Sequence, residues 1–126
     1  TQFSSCLTRV TRRAESHKYL KMVNGMTHKK QIQEIRRLIE MVGGRCYVTS
    51  QVGRLYGSAG IPDLICFAPA RGVQWVFFVE VKVGRDKLSD AQRAFREECL
   101  RARMPYVVGT AGDVADFLGL TETWRA

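Results

Sequence analysis

Two apolar stretches separated by a short break containing Pro and Gly constrain this chain more than any other feature. The first is Leu64-Ile65-Cys66-Phe67; the second runs from Val73 to Val83 and is interrupted only by Gln74, Glu80 and Lys82. Both are short, β-branched and aromatic, and bounded by Gly and Pro, which is the composition of strands rather than helices. The break at Ala68-Pro69-Ala70-Arg71-Gly72 reads as a tight connection between them. If the hairpin is centred between Arg71 and Gly72, opposed residues have numbers that sum to 143, and Asp63 falls opposite Glu80. Residues two apart on a strand share a face, so Lys82 points the same way as Glu80. Two carboxylates and one amine are then expected to converge on one side of a sheet.

A Glu and a Lys inside an otherwise apolar strand need a physical reason, because burying either charge costs on the order of several kcal/mol unless it is paired or coordinated. One reading is a buried Glu80–Lys82 ion pair that closes a face of the sheet. The other is a divalent metal site. Asp63 and Glu80 offer the hard oxygen ligands that Mg²⁺ or Mn²⁺ takes, and the carbonyl of Val81 can add another. Lys82 then stands beside an attacking water or a scissile phosphate, where it stabilises charge developing in the transition state.

Pro62-Asp63, sixteen intervening residues, and Glu80-Val81-Lys82 together resemble the PD-(D/E)xK nuclease signature. The longer strings Gly60-Ile-Pro-Asp-Leu-Ile65, Phe78-Val-Glu-Val-Lys82 and Lys87-Leu-Ser-Asp-Ala-Gln92 resemble the VRR-NUC branch of that superfamily, over roughly Thr27 to Leu118. The resemblance implies metal-dependent hydrolysis of DNA, with Asp63 and Glu80 as metal ligands and Lys82 as the catalytic lysine. It also places Gln92 near the metals, orienting water or phosphate. The residues themselves offer Gln92 a second role, since Ser89-Asp90-Ala91-Gln92 has the spacing of a helix capping box. Branched or junction DNA as substrate, and a homodimer presenting two sites, follow from the same resemblance.

The charge distribution suits such a substrate. Residues 1–62 hold eleven Lys or Arg against three acids, whereas residues 63–126 hold nine of each, so the whole net charge of +8 precedes the second half of the chain. A basic block beside a hydrolytic site is what a polyanionic backbone selects, because each neutralised phosphate releases counterions. Arg54 and Tyr56, in the glycine-rich stretch Val52 to Gly60, are candidates for phosphate contact and base stacking, and Arg85 and Lys87 form a basic turn just after Lys82. No Gly-Lys-Ser/Thr follows the glycines, so this is not a Walker loop.

A chain of 126 residues is one domain with a sizeable core. No apolar run approaches the ~20 residues of a membrane span, and no signal-peptide pattern is seen at the start. Cys6, Cys46, Cys66 and Cys99 show no C-x-x-C pair, and with two histidines a zinc site is not expected. Cys66 and Cys99 fall in apolar patterns and read as reduced core residues, which fits an intracellular, reducing compartment such as the cytoplasm or nucleoid. Residues 1–25 read as a basic N-terminal extension, with helical spacing at Leu7, Val10 and Ala14, and Met26 resembles a natural start. Residues 26–126 then form the nuclease-like domain.

Elsewhere the periodicity gives a helix over Thr27–Val42, a strand over Cys46–Gln51, a helix over Ser89–Met104 with Ala91, Phe95, Cys99 or Leu100, and Ala102 inward, a strand over Pro105–Gly109 and a helix over Thr110–Leu118. That order predicts an α/β fold, a restriction-endonuclease-like sandwich with a mixed central sheet flanked by helices. Relatives in the superfamily often carry a further acid on the first helix. Here Glu34 lies only on the flank of its apolar stripe, while His28 and Gln31 take inward positions. The expected function is a Mg²⁺- or Mn²⁺-dependent DNA endonuclease; the alternative is a non-catalytic DNA-binding module on the same fold.

Overall fold

The computed structural model describes residues 18–49 and 59–120. A four-stranded sheet lies at its centre in the order β1 (Arg45–Val48), β2 (Leu64–Ala70), β3 (Val73–Val81) and β4 (Tyr106–Gly109). Helical residues 18–24 form α1, followed by α2 (His28–Met41), α3 (Asp90–Arg101) and α4 (Ala111–Phe117). The β1–β2 and β2–β3 pairs are antiparallel and β3–β4 is parallel, so the expected mixed sheet and α/β sandwich are found. Helix α3 supplies the crossover that a parallel pair needs. The Leu7–Ala14 helical spacing, Cys6, the last residues of the first expected strand, and Arg54 with Tyr56 lie outside the described residues.

The hairpin keeps the register read from its sequence: Leu64 pairs with Val79 and Ala70 with Val73. Its turn is Arg71-Gly72, with φ of 51° and 77°. Positive φ at both central residues is what a type I′ turn requires, and that turn matches the twist of the two strands. Gly72 adopts it without cost. Arg71 is held there by its side chain, which donates to the Phe117 carbonyl at 2.5 Å and lies over the Trp75 and Phe117 rings. The break was expected to begin at Ala68, but Ala68-Pro69-Ala70 continue β2. Strand β1 pairs with β2 only as far as Phe67, so Pro69 lies past its end and owes no amide hydrogen to a neighbour on that side.

One face of the sheet presents Leu64, Cys66, Ala68, Phe77, Val79 and Val81, all buried, to Ile35, Leu38 and Ile39 of α2 and Val114 and Ala115 of α4. Thr27 caps α2 by accepting from the Lys30 amide, and α2 closes at Val42 before Gly43. The buried Gln31 ties three helices together: its amide donates to the Val23 carbonyl and its oxygen accepts from the Ala111 amide at 2.9 Å. Val23, from the segment read as an extension, is fully buried in this core.

Helix α3 covers part of the opposite face, where Phe95 meets Phe78 edge-on at 5.2 Å and Tyr106 at 6.2 Å. It ends at Arg101, earlier than expected, so Ala102 is its exposed cap and Leu100 points outward, leaving Cys99 as its buried residue. Cys66 and Cys99 are buried, as their apolar patterns led us to expect, Cys46 is buried with them, and the Cys46 and Cys66 sulfurs are neighbours across β1 and β2 at 2.9 Å. Among the described residues no helix is long and apolar enough to cross a membrane.

Gln31→Leu leaves the Ala111 amide and the Val23 carbonyl buried without their partner. Each such loss costs about 1–3 kcal/mol, so urea unfolding should show a destabilisation of about 2–5 kcal/mol, whereas Gln33→Leu on the exposed side of α2 should change little.

Candidate active site

Asp63 stands one residue before β2, and extending the hairpin register by one step sets it opposite Glu80. Its backbone is pinned from the other side, since Thr49 donates its amide to the Asp63 carbonyl at 2.9 Å and its hydroxyl to the Pro62 carbonyl. The next step of the register sets Pro62 opposite Val81. An ordinary residue there would exchange both backbone hydrogen bonds with Val81. Proline has no N–H to give, and its carbonyl is taken by Thr49. The Val81 amide turns instead to Asp63 Oδ2, at 2.8 Å. Because the N–H and C=O of one strand residue leave the same edge, the Val81 carbonyl also faces the Asp63 side, with no ladder donor opposite it.

Glu80 is buried, only 3% exposed. Lys82 shares its face, as the alternation predicts, with Nζ 3.8 Å from Glu80 Oε2, and the Lys82 backbone amide is tied to the Gly109 carbonyl of β4 at 2.9 Å. Glu80 Oε1 has no hydrogen-bond partner among the described residues. Burial raises the Glu80 carboxyl from its ordinary 4.5 to about 7, and the neighbouring Asp63 charge adds to the rise more than the Lys82 amine offsets. An ion pair that closes the sheet would satisfy both oxygens; this one leaves an oxygen bare and the carboxyl reluctant to ionise. Tyr106, on the same face, has a buried hydroxyl that also lacks a partner among the described residues, and burial followed by the Glu80 charge raises its pKa.

These features fit a divalent cation better than they fit Lys82 alone. Two carboxylates that repel one another, one bare buried oxygen and a carbonyl without a ladder donor are hard oxygen ligands in search of positive charge. As the side chains stand, the described residues include no group of three or more His, Cys, Asp or Glu placed to hold an ion. The side-chain set is therefore the Asp63–Glu80 pair.

The other candidates divide. Gln92 completes the capping box with Ser89, its Oε1 accepting from the Ser89 amide at 2.8 Å while Ser89 Oγ accepts from the Gln92 amide at 3.1 Å. Helix α3 is brought up to the site by Gly60, where a Cβ would sit 2.4 Å from the Ala91 carbonyl oxygen and whose φ is +89°. Arg85 and Lys87 are exposed in the turn that follows Lys82. Arg54 lies outside the described residues. Glu34 is engaged elsewhere, accepting from Tyr19 and from Arg37 at 2.5 Å each, and the Arg37 guanidinium holds its carboxyl below the usual range. Two neighbours of the acids did not figure among the expected site residues. His28 Nε2 lies 3.4 Å from Asp63 Oδ2, and Tyr106, opposite Phe78 in the β3–β4 pair, is near enough to feel the Glu80 charge. The inward placement of His28 on α2 was a usable signal; Tyr106 gave none without the β3–β4 pairing.

The VRR-NUC domain model matches residues 6–112, most of the chain, and that family is one of PD-(D/E)xK-type nuclease domains. No curated protein and no solved structure matches the chain.

Glu80 sets a pH dependence on the metal-free protein. Below about pH 4.5 its carboxyl is protonated in the folded and the unfolded chain alike; between there and about pH 7 the unfolded chain ionises first, so folding stability falls as pH rises. Urea midpoints measured from pH 4.5 to 8 should show this fall. Asp63→Asn should reduce it without abolishing it, because burial is the larger cause.

Proposed function

We propose that this chain, which belongs to the VRR-NUC family, is a Mg²⁺- or Mn²⁺-dependent endonuclease that hydrolyses phosphodiester bonds in DNA. The observation that carries the reading is the gathering of Asp63, Glu80 and Lys82 on one face, with a buried Glu80 oxygen left bare. When bound, a divalent cation supplies Lewis acidity to a water nucleophile and offsets charge on the phosphate.

The rest is the work of the chain. Asp63 and Glu80 would hold the cation together with the Val81 carbonyl, and the Val81 amide, donating to Asp63 Oδ2, orients that acid. Lys82 places an ammonium where negative charge builds on the phosphoryl oxygens, an arrangement that needs no reorganisation during reaction. Gln92 keeps its Oε1 in the capping box and presents Nε2 as a donor to phosphate or water. Arg54, Arg85 and Lys87 neutralise flanking phosphates, which holds the duplex without reading its sequence. The substrate is branched or junction DNA, bound by a homodimer, since a domain this small surrounds little of a duplex alone.

Cleavage of labelled duplex, four-way junction and RNA of matched sequence in Mg²⁺, Mn²⁺ or EDTA tests this. Wild type should cut junction DNA in a metal-dependent way. Asp63→Asn and Glu80→Gln should abolish cutting, and Lys82→Ala should lower it about 10²–10³-fold while DNA binding persists. If wild type binds DNA as Lys82→Ala does and neither cuts with any metal, the chain is a binding module instead.

A further inference from the structure

We propose that Cys46 and Cys66 form a peroxide-sensitive dithiol, in which Cys46 is oxidised first and Cys66 closes on it to give a reversible disulfide between β1 and β2.

The two cysteines are direct partners in the β1–β2 ladder. The Thr49 amide donates to the Asp63 carbonyl, so these two residues are a hydrogen-bonded pair of the same register. Bonded and non-bonded pairs alternate along an antiparallel ladder, which makes Cys46 and Cys66 a non-hydrogen-bonded pair. In such a pair the Cα atoms stand about 4.5 Å apart and the side chains come closest. Disulfides span Cα separations of about 4.4–6.8 Å, so a bond is within reach without shifting the strands. The sulfurs already meet, 2.9 Å apart, inside the core. Cys99, on α3, lies outside that core cluster.

The pair is asymmetric. Cys66 is fully buried, whereas Cys46 keeps 9% of its surface and lines a groove of about 470 Å³ with Arg36, Glu40, Arg45 and Tyr47. A small solute in that groove therefore meets Cys46 before Cys66. The Cys66 thiol, donating to Cys46, holds the Cys46 thiol below its ordinary value, and Arg36 adds to this against burial and Glu40. The same contact, followed by burial, pushes the Cys66 thiol up. The thiolate is the nucleophile, so Cys46 attacks and Cys66 resolves.

The oxidant is hydrogen peroxide. The Cys46 thiolate takes one of its oxygens, the O–O bond breaks, and the departing hydroxide gains a proton and leaves as water. Cys46 is then a sulfenic acid. The Cys66 sulfur attacks Cys46 Sγ, the S–S bond forms and the S–O bond breaks, and the Cys66 proton leaves with the second hydroxide as water. Peroxide gains two electrons and the thiol pair loses two. Added thiol reverses the closure by exchange.

The test treats the folded full chain with hydrogen peroxide, alkylates it under denaturing conditions and maps its peptides by mass spectrometry, with and without dithiothreitol. The Cys46 and Cys66 peptides should be joined, and should separate on reduction. Cys66→Ala should leave Cys46 as a sulfenic acid that dimedone traps, whereas Cys46→Ala should leave Cys66 fully alkylated. Complete alkylation of both thiols in peroxide-treated wild type, or a bond from Cys46 to Cys6 or Cys99, would overturn the pairing. Dimedone on Cys66 in Cys46→Ala, with none on Cys46 in Cys66→Ala, would overturn the order of attack. The wild-type map decides the pairing even where a variant fails to fold.

Discussion

The site depends on a proline that cannot donate. Pro62 stands opposite Val81 at the open end of the hairpin and removes the ladder hydrogen bond that any other residue would make there. The Val81 amide turns to the Asp63 carboxylate instead, at 2.8 Å, and the Val81 carbonyl is left facing the same acid. A break in a β-ladder, normally a cost, here orients one acid and exposes one backbone oxygen within a single residue step. The Thr49 contacts from β1's end and the close approach of Gly60 to Ala91 hold that break rigid from both sides.

Stability and chemistry oppose each other at Glu80. The side chain is buried, beside a second carboxylate, with one lysine at 3.8 Å and one oxygen unpaired among the described residues. Apolar residues of similar volume would stabilise the fold more. The strain is tolerable because the other face of the sheet is a continuous core, from Val23 through Ile35 and Phe77 to Val114, locked across three helices by the buried Gln31. An ion that neutralised the acids would relieve the repulsion, so a cation would act on folding and on reaction through the same atoms.

The hairpin was legible in the sequence because its turn holds only two residues. A turn that short fixes the register, and the register alone brings Asp63 to Glu80 and Lys82 to its side. The capping boxes at Ser89 and Thr110 were legible for a similar reason, being set by spacing three residues apart. The inclusion of Pro69 in β2 was not, because it depends on where β1 ends, a fact of pairing rather than of local composition. The inward set of α3 was misread at Ala102 because the helix stops a turn early, at a boundary that Met104 and Pro105 only approximate, while of the alternatives Cys99 and Leu100 the structure buries Cys99. The neighbour Tyr106 comes from an element distant in sequence, and only the β3–β4 pairing brings it near the acids. Gln92 shows the opposite limit: its capping role is fully local, and its part in the chemistry cannot be read from spacing.

The central claim is that Asp63 and Glu80 share a cation. A crystal grown with Mn²⁺ and measured at a wavelength where manganese scatters anomalously addresses it directly. The account predicts an anomalous peak within bonding distance of both carboxylates and the Val81 carbonyl. Acids turned apart, with no density between them and Lys82 closing on both Glu80 oxygens, would contradict it and leave a structural ion pair on a basic domain.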